Sequence, residues 1–364
     1  LSVFLVLGLL TYQEKLDPHT FLQVVGWDEK PGSRLIFAKT GAGSPRLPRT
    51  ASDRRTGLLN MLRSDRFETP ALLIPGGQRK DAIPLVFIHG LMSTPDMWNR
   101  VVGFLRSDPD LAEKYQFWFF YYPTGHPIPV AALQFRETLE EANRQGLIRQ
   151  PLVLVGHSMG GILARSQAVT LGPAEAEKIL PGVSLLPEQQ ITRRALIFSA
   201  RPDVARLVFI ATPHRGTDFA HRGISRLGHH LIRLPDWIVA EIPPFEGSIP
   251  ELGGRQFPTS IVGLSPSSGF LQTLDKAPMR VPCHSVIPLL GNPDNPFAHD
   301  GIVPLWSSRL PIAASELLLT GDHGAFDSPE SLDELRRILR LHIGLPPIPP
   351  AGDLKNFDAK QKTG

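Results

Sequence analysis

Six short apolar runs divide the second and third quarters of the chain and reach into the fourth, and each ends abruptly at glycine, proline or a polar residue. They are "PLVFIHG" (84–90), "YQFWFFYYP" (115–123), "PLVLVGHS" (151–158), "RLVFIATPH" (206–214), "CHSVIPLLG" (283–291) and "SELLLTGDH" (315–323). Most are continuous rather than alternating, the mark of strands buried on both faces. Helical spacing appears between them in "VAALQFRETLEEANRQG" (130–146), after Ser158 over 159–171, and in "PESLDELRRILRLHI" (329–343), which Ser328 should cap. Strands alternating with helices give an α/β fold with a mostly parallel, doubly wound sheet.

In such sheets, sites form at the carboxyl ends of the strands. His89, Ser158, His214, Asp300 and His323 are all expected at or near such ends. The sharpest signal is "VGHSMGG", a G-x-S-x-G between an apolar strand and a helix. A tight turn with Ser158 as a helix cap would explain it. A nucleophile elbow, which lifts the serine hydroxyl clear of the sheet, would also explain it.

Serine needs a base, and the base needs an acid to hold its tautomer. His323 stands after an apolar strand and before the last helix, in the order Ser, acid, His that accompanies this elbow. Asp300, in the Asp-Gly turn of "NPFAHDGIVPLWSS" (295–308), is the candidate acid, with Asp294 in reserve. An oxyanion hole needs two backbone N–H donors. Met159, after the serine, should supply one, and Leu91 (in preference to Met92) of "HGLMSTPDMW" the other. His89, His157 and His214 are candidate pocket residues.

The chain has 364 residues, 42% of them apolar, enough for one large domain with insertions. Net charge is +3 and the basic residues are scattered, so no nucleic-acid footprint is seen. One cysteine, Cys283, rules out an intramolecular disulfide and a four-cysteine metal site. No zincin or dinucleotide-binding motif occurs, and neither metal nor cofactor is expected. "LSVFLVLGLL" at the start is too short to span a bilayer and reads as a targeting remnant, which would suit an exported or membrane-associated protein; otherwise the expected location is the cytoplasm.

Residues 1–80 read as a lead-in, with edge strands in "SRLIFAK" (33–39) and "PALLIPGGQ" (70–78), and 81–345 as the main domain. Within it, 172–205 and 215–280 are too long for plain connections and read as insertions over the carboxyl edge. In 217–239, Ile224, Leu227, Leu231 and Leu234 form an apolar helical stripe, with Arg222, Arg226, His229, His230 and Arg233 on the remaining faces. Such a helix is either an ordinary packed one or a lid meeting a lipid surface. Residues 346–364 read as a flexible tail.

Taken together, "FIHGLMSTPDMW", "YYPTG", "LVGHSMGGILAR", "FIATPHRGTD", "HDGIVP" and "GDHGAF" resemble serine esterases and lipases of the α/β-hydrolase superfamily, the bacterial lipase-like branch most of all. The resemblance covers about residues 82–343. It implies Ser158 as nucleophile, Asp300 as acid, His323 as base, Leu91 and Met159 as oxyanion donors, no cofactor, and a small-molecule or lipid ester as substrate. Peripheral contact with a lipid surface is a further expectation, and nucleic acid is not. Two other readings stay open: an acyltransferase using the same triad, and a non-catalytic binding protein on the same fold.

Overall fold

The computed structural model describes residues 70–181, 189–217 and 259–347 except 77 and 296, with short pieces at 34–36, 58, 61–63, 232–234 and 238–239. The N-terminal run 1–10, the proposed helical stripe as far as Leu231, and residues 348–364 lie outside the described residues, while Arg233 and Leu234 at the end of that stripe are described and lie in no helix.

Eight strands form one sheet in the order β1-β2-β4-β3-β5-β6-β7-β8. They are β1 (Arg34–Ile36), β2 (Ala71–Leu73), β3 (Ile83–Ile88), β4 (Tyr115–Tyr121), β5 (Leu152–His157), β6 (Val204–Ile210), β7 (Cys283–Leu289) and β8 (Ser315–Thr320). Every neighbouring pair is parallel except β2 with β4. The six apolar runs are β3 to β8, and of the two edge strands expected from residues 33–39 and 70–78, β1 lies at the edge while β2 is paired on both sides, with β1 and β4. The order doubles back around β3, the arrangement of a doubly wound sheet, which sends crossover helices to opposite faces.

The helices used below are α1 (Asn99–Arg106), α2 (Pro109–Lys114), α3 (Ile128–Arg144), α4 (Met159–Ser166), α5 (Pro173–Ile179), α6 (Gln190–Leu196), α7 (Gly269–Lys276) and α8 (Pro329–His342). Alternate residues of the central strands feed two separate cores, because successive side chains point to opposite faces. Val86, Ile88, Trp118, Phe120, Leu152 and Leu154 pack with α3, α4 and α7. Leu85, Phe87, Phe117, Phe119, Val153 and Val155 pack with α1, α2 and α8. Ser328 caps α8 by accepting from the Ser331 N–H, as its sequence anticipates.

The segment 172–205 is anchored away from the carboxyl edge on which its length suggests a lid. Its described parts fold into α5 and α6. Leu171 bridges Phe198, the Arg201 N–H donates to the Gln167 carbonyl at 2.8 Å, and Leu152, the first residue of β5, donates to the Asp203 carbonyl at 2.6 Å. These bonds tie it to the amino edge. The reason is direction: α4 starts at the carboxyl end of β5 and runs back, so the chain that follows it emerges at the opposite end. Among the described residues, no helix is long and apolar enough to cross a membrane.

Candidate active site

At the end of β5 the chain turns so sharply that Ser158 takes φ 54° and ψ −126°. A non-glycine residue in such a conformation costs on the order of 1–3 kcal/mol and must be held by its surroundings. Here the Ser158 N–H donates to the Ile210 carbonyl at 2.9 Å, and its own carbonyl accepts from Gly161 at 3.0 Å. The flanking glycines permit the turn. A Cβ on Gly156 would lie 2.5 Å from the Gly160 carbonyl oxygen, and one on Gly160 would lie 2.3 Å from that of Ile88. Ser158 occupies the cap position of α4, yet its side chain makes no capping hydrogen bond. The hydroxyl turns instead to His323.

His323 Nε2 lies 2.9 Å from Ser158 Oγ, and His323 Nδ1 lies 2.7 Å from Asp300 Oδ2. Asp300 is 2% exposed. Its other oxygen, Oδ1, accepts from the N–H groups of Ile302 at 2.9 Å and Val303 at 2.7 Å. Gly301, at φ 97°, makes the Asp-Gly turn that directs both donors back onto the carboxylate. With a carboxylate as acceptor, Nδ1 of His323 carries the ring proton, and Nε2 is left to accept from the serine hydroxyl. The backbone supports the same pair, since the His323 N–H donates to the Asp300 carbonyl at 2.8 Å.

Two other acids stand near Asp300 and His323 in the sequence. Asp322 Oδ1 accepts from the Gly324 N–H at 2.8 Å, and Asp294 stands exposed in the turn after β7, its own N–H donating to Asn292. The first is a turn closed by an aspartate side chain, and the second is closed by the side chain of Asn292.

Around the hydroxyl, the two loops proposed to carry donors converge. Met159 is the first residue of α4, so its N–H has no acceptor within the helix. At the turn after β3, the Met92 N–H donates to Thr124 Oγ1 at 3.3 Å. Met92, at φ 55°, is thereby committed, while the Leu91 N–H meets no acceptor among the described residues. Thr124, from "YYPTG", is a residue that sequence reasoning does not single out. The available signal is the motif itself, with a small polar residue at the carboxyl end of β4.

The three further histidines are buried. His89 stacks on Tyr122 at 4.5 Å, with Nδ1 3.0 Å from the Gly90 carbonyl, and burial pushes its pKa down to about 4. His157 directs Nε2 at the His323 carbonyl, 2.9 Å away, and burial, then the neighbouring His323, pushes its pKa down to about 3. His214 meets Phe209 edge-on at 4.6 Å, and neither ring nitrogen has a partner among the described residues. Burial first, then Arg165 and Arg215, hold it far below the ordinary histidine range. A cavity of about 480 Å³ lies between α3, α6 and the 199–203 turn, and none of Ser158, Asp300 and His323 lines it.

A family model described as "Alpha/beta hydrolase family" matches residues 85–340. The chain belongs to the alpha/beta hydrolase family. Among solved structures, this alpha/beta hydrolase is similar in fold to the mature lipase BlEst2 of Bacillus licheniformis, at 16% identity over 74% of this chain and 94% of that one, with a TM-score of 0.44. It is also similar to the lipase of Staphylococcus hyicus (13% identity, 74% and 99% covered, TM-score 0.45). A third is an esterase from Thermogutta terrifontis (15% identity, 76% and 89% covered, TM-score 0.41). No curated protein matches the sequence. In this hydrolase the family match spans β3 through most of α8 and so includes Leu91, Ser158, Met159, Asp300 and His323.

Proposed function

We propose that the protein is a carboxylic-ester hydrolase that works through Ser158, His323 and Asp300. One observation carries the reading: a strained serine whose hydroxyl meets a histidine at 2.9 Å, with a buried carboxylate on the far side of the same ring at 2.7 Å. In this reading Ser158 Oγ attacks the ester carbonyl carbon while its proton passes to His323 Nε2. The carbonyl oxygen becomes an oxyanion and is met by the N–H groups of Leu91 and Met159, at the positive end of the α4 dipole. The C–O bond to the alcohol then breaks, and the alcohol leaves with the proton from His323. Water, deprotonated by His323, releases the acid from the acyl-enzyme. Asp300 keeps the ring oriented and stabilises the charge it gains.

The test uses a fluorophosphonate and an ester panel varied in its acyl and alcohol parts. The intact protein is expected to be labelled at Ser158 and to hydrolyse esters, and Ser158→Ala is expected to lose both properties while keeping its fold. Ester turnover by Ser158→Ala at the parent rate would remove the reading. So would an unlabelled parent without turnover, which would favour a binding role for the fold.

A further inference from the structure

His157 precedes the proposed nucleophile, and the elbow turns its side chain away from Ser158. Its ring lies 4.9 Å from the ring of His323 and 5.1 Å from that of Phe326, centre to centre. On its other side is the turn that carries Leu91: a Cβ placed on Gly90 would stand 3.1 Å from His157 Nδ1. One ring thus separates the two loops that serve the serine.

The loop that holds His323 is tied at its start to β7, where the Gly321 N–H donates to the Leu289 carbonyl at 3.0 Å. Asp322 and Gly324 on either side are exposed. The His323 N–H is bound to the Asp300 carbonyl, and the His323 carbonyl to His157 Nε2 at 2.9 Å. A carbonyl only accepts, so Nε2 of His157 must carry the proton. We infer that His157 is a positioning residue: its Nε2–H clamps the main chain of His323, and its ring spaces that loop from the Gly90 turn, so that base, nucleophile and oxyanion donor keep one fixed geometry. The titratable groups that face it are His323, Asp300 and His89. Because burial keeps it neutral down to about pH 3, the clamp holds its single proton through the working range and adds no charge beside the base. The inference rests on the reading of Ser158 and His323 as nucleophile and base.

The experiment compares His157→Gln, which keeps a donor, with His157→Met, of similar size but without one. Gln is expected to retain most of kcat. Met is expected to lose on the order of 10- to 100-fold in kcat, the scale of a small displacement of a reacting group, with KM changed by less than about threefold. The pH–rate profile of His157→Gln should keep the parent's shape between about pH 5 and 9, because general-base proton transfer by His323 is untouched. Equal kcat in the two variants would overturn the clamp, whether both are high or both are low. Loss of one limb of the profile in His157→Gln would also overturn it, because His157 would then be moving protons itself. If His157→Met does not fold, His157→Leu against His157→Asn makes the same comparison. A parent that is neither labelled nor active defeats the underlying reading and the clamp with it; an active parent with indifferent variants defeats the clamp alone.

Discussion

Ser158 sits where the backbone resists any side chain, and its neighbours are small because they must be. Gly160→Ala would drive a methyl into the backbone carbonyl of Ile88, with no flexible group to give way. It is expected to abolish fluorophosphonate labelling, and a labelling rate equal to the parent's would show that the elbow tolerates what its geometry forbids. Asp300→Asn keeps size and burial but exchanges the acceptor beside His323 Nδ1 for an amide. Ester turnover should then fall on the order of 10⁴-fold, as it does when the same change is made in a serine-protease triad. A loss below about tenfold, with Asp294→Asn damaging instead, would transfer the proposed acid role.

At this scale the sequence is most informative where a polar residue ends an apolar strand, which is how Ser158, Asp300 and His323 can be named together. Between Asp300 and Asp294 spacing favours neither decisively; the carboxylate that meets His323 is set by Gly301 and the two N–H groups it redirects. The His157 bond to the His323 carbonyl spans 166 positions, and no local pattern encodes it.

Elements are legible in proportion to how fully they are buried. β3 to β7 lie deep in the sheet, so their apolar runs stand out against polar flanks. The helices α1, α2 and α7 are short, and a turn or two of periodicity does not separate them from loop. What fixes them is tertiary. Asp108 caps α2 by accepting from the N–H groups of Asp110 and Leu111, and it also pairs with Arg340 of α8, Nη1 to Oδ2 at 3.0 Å. The two side chains are 2% and 8% exposed, so the pair is buried, while Asp110, the second partner of Arg340, is 54% exposed. Removing one member of a buried pair leaves a charge that the other must bear alone. Asp108→Ala should therefore lower unfolding free energy by about 3–5 kcal/mol, cap included. Asp108→Asn, which can still cap, should cost less. Urea denaturation measures both, and equal losses would mean that the charge, rather than the cap, carries the whole contribution of Asp108.

The whole molecule carries an acid limit in its buried histidines. His89 and His157 titrate at about 4 and about 3, and His214 lies well below 6.5. In the unfolded chain each would take up a proton near 6.5, but the folded protein holds them neutral until far lower pH. The unfolded state therefore binds more protons between those values, and stability falls as pH falls through that window. Each unit of separation is worth about 1.4 kcal/mol, so at about pH 5 His89 and His157 each withdraw about 2 kcal/mol, and His214 acts in the same direction. Together that is a large part of the margin of an ordinary domain, about 5–15 kcal/mol. The urea midpoint is expected to be steady above about pH 7 and to drop steeply between about pH 6.5 and 4.5, apart from any loss of catalysis. His214→Leu provides the control: a ring whose nitrogens find no partner among the described residues is replaced by an apolar side chain that cannot charge. Its midpoint at neutral pH should be little changed or higher, and its slope with pH shallower by one proton. A parent midpoint that stays flat down to about pH 4.5 would mean that these histidines reach water in the folded protein and are not held neutral by burial.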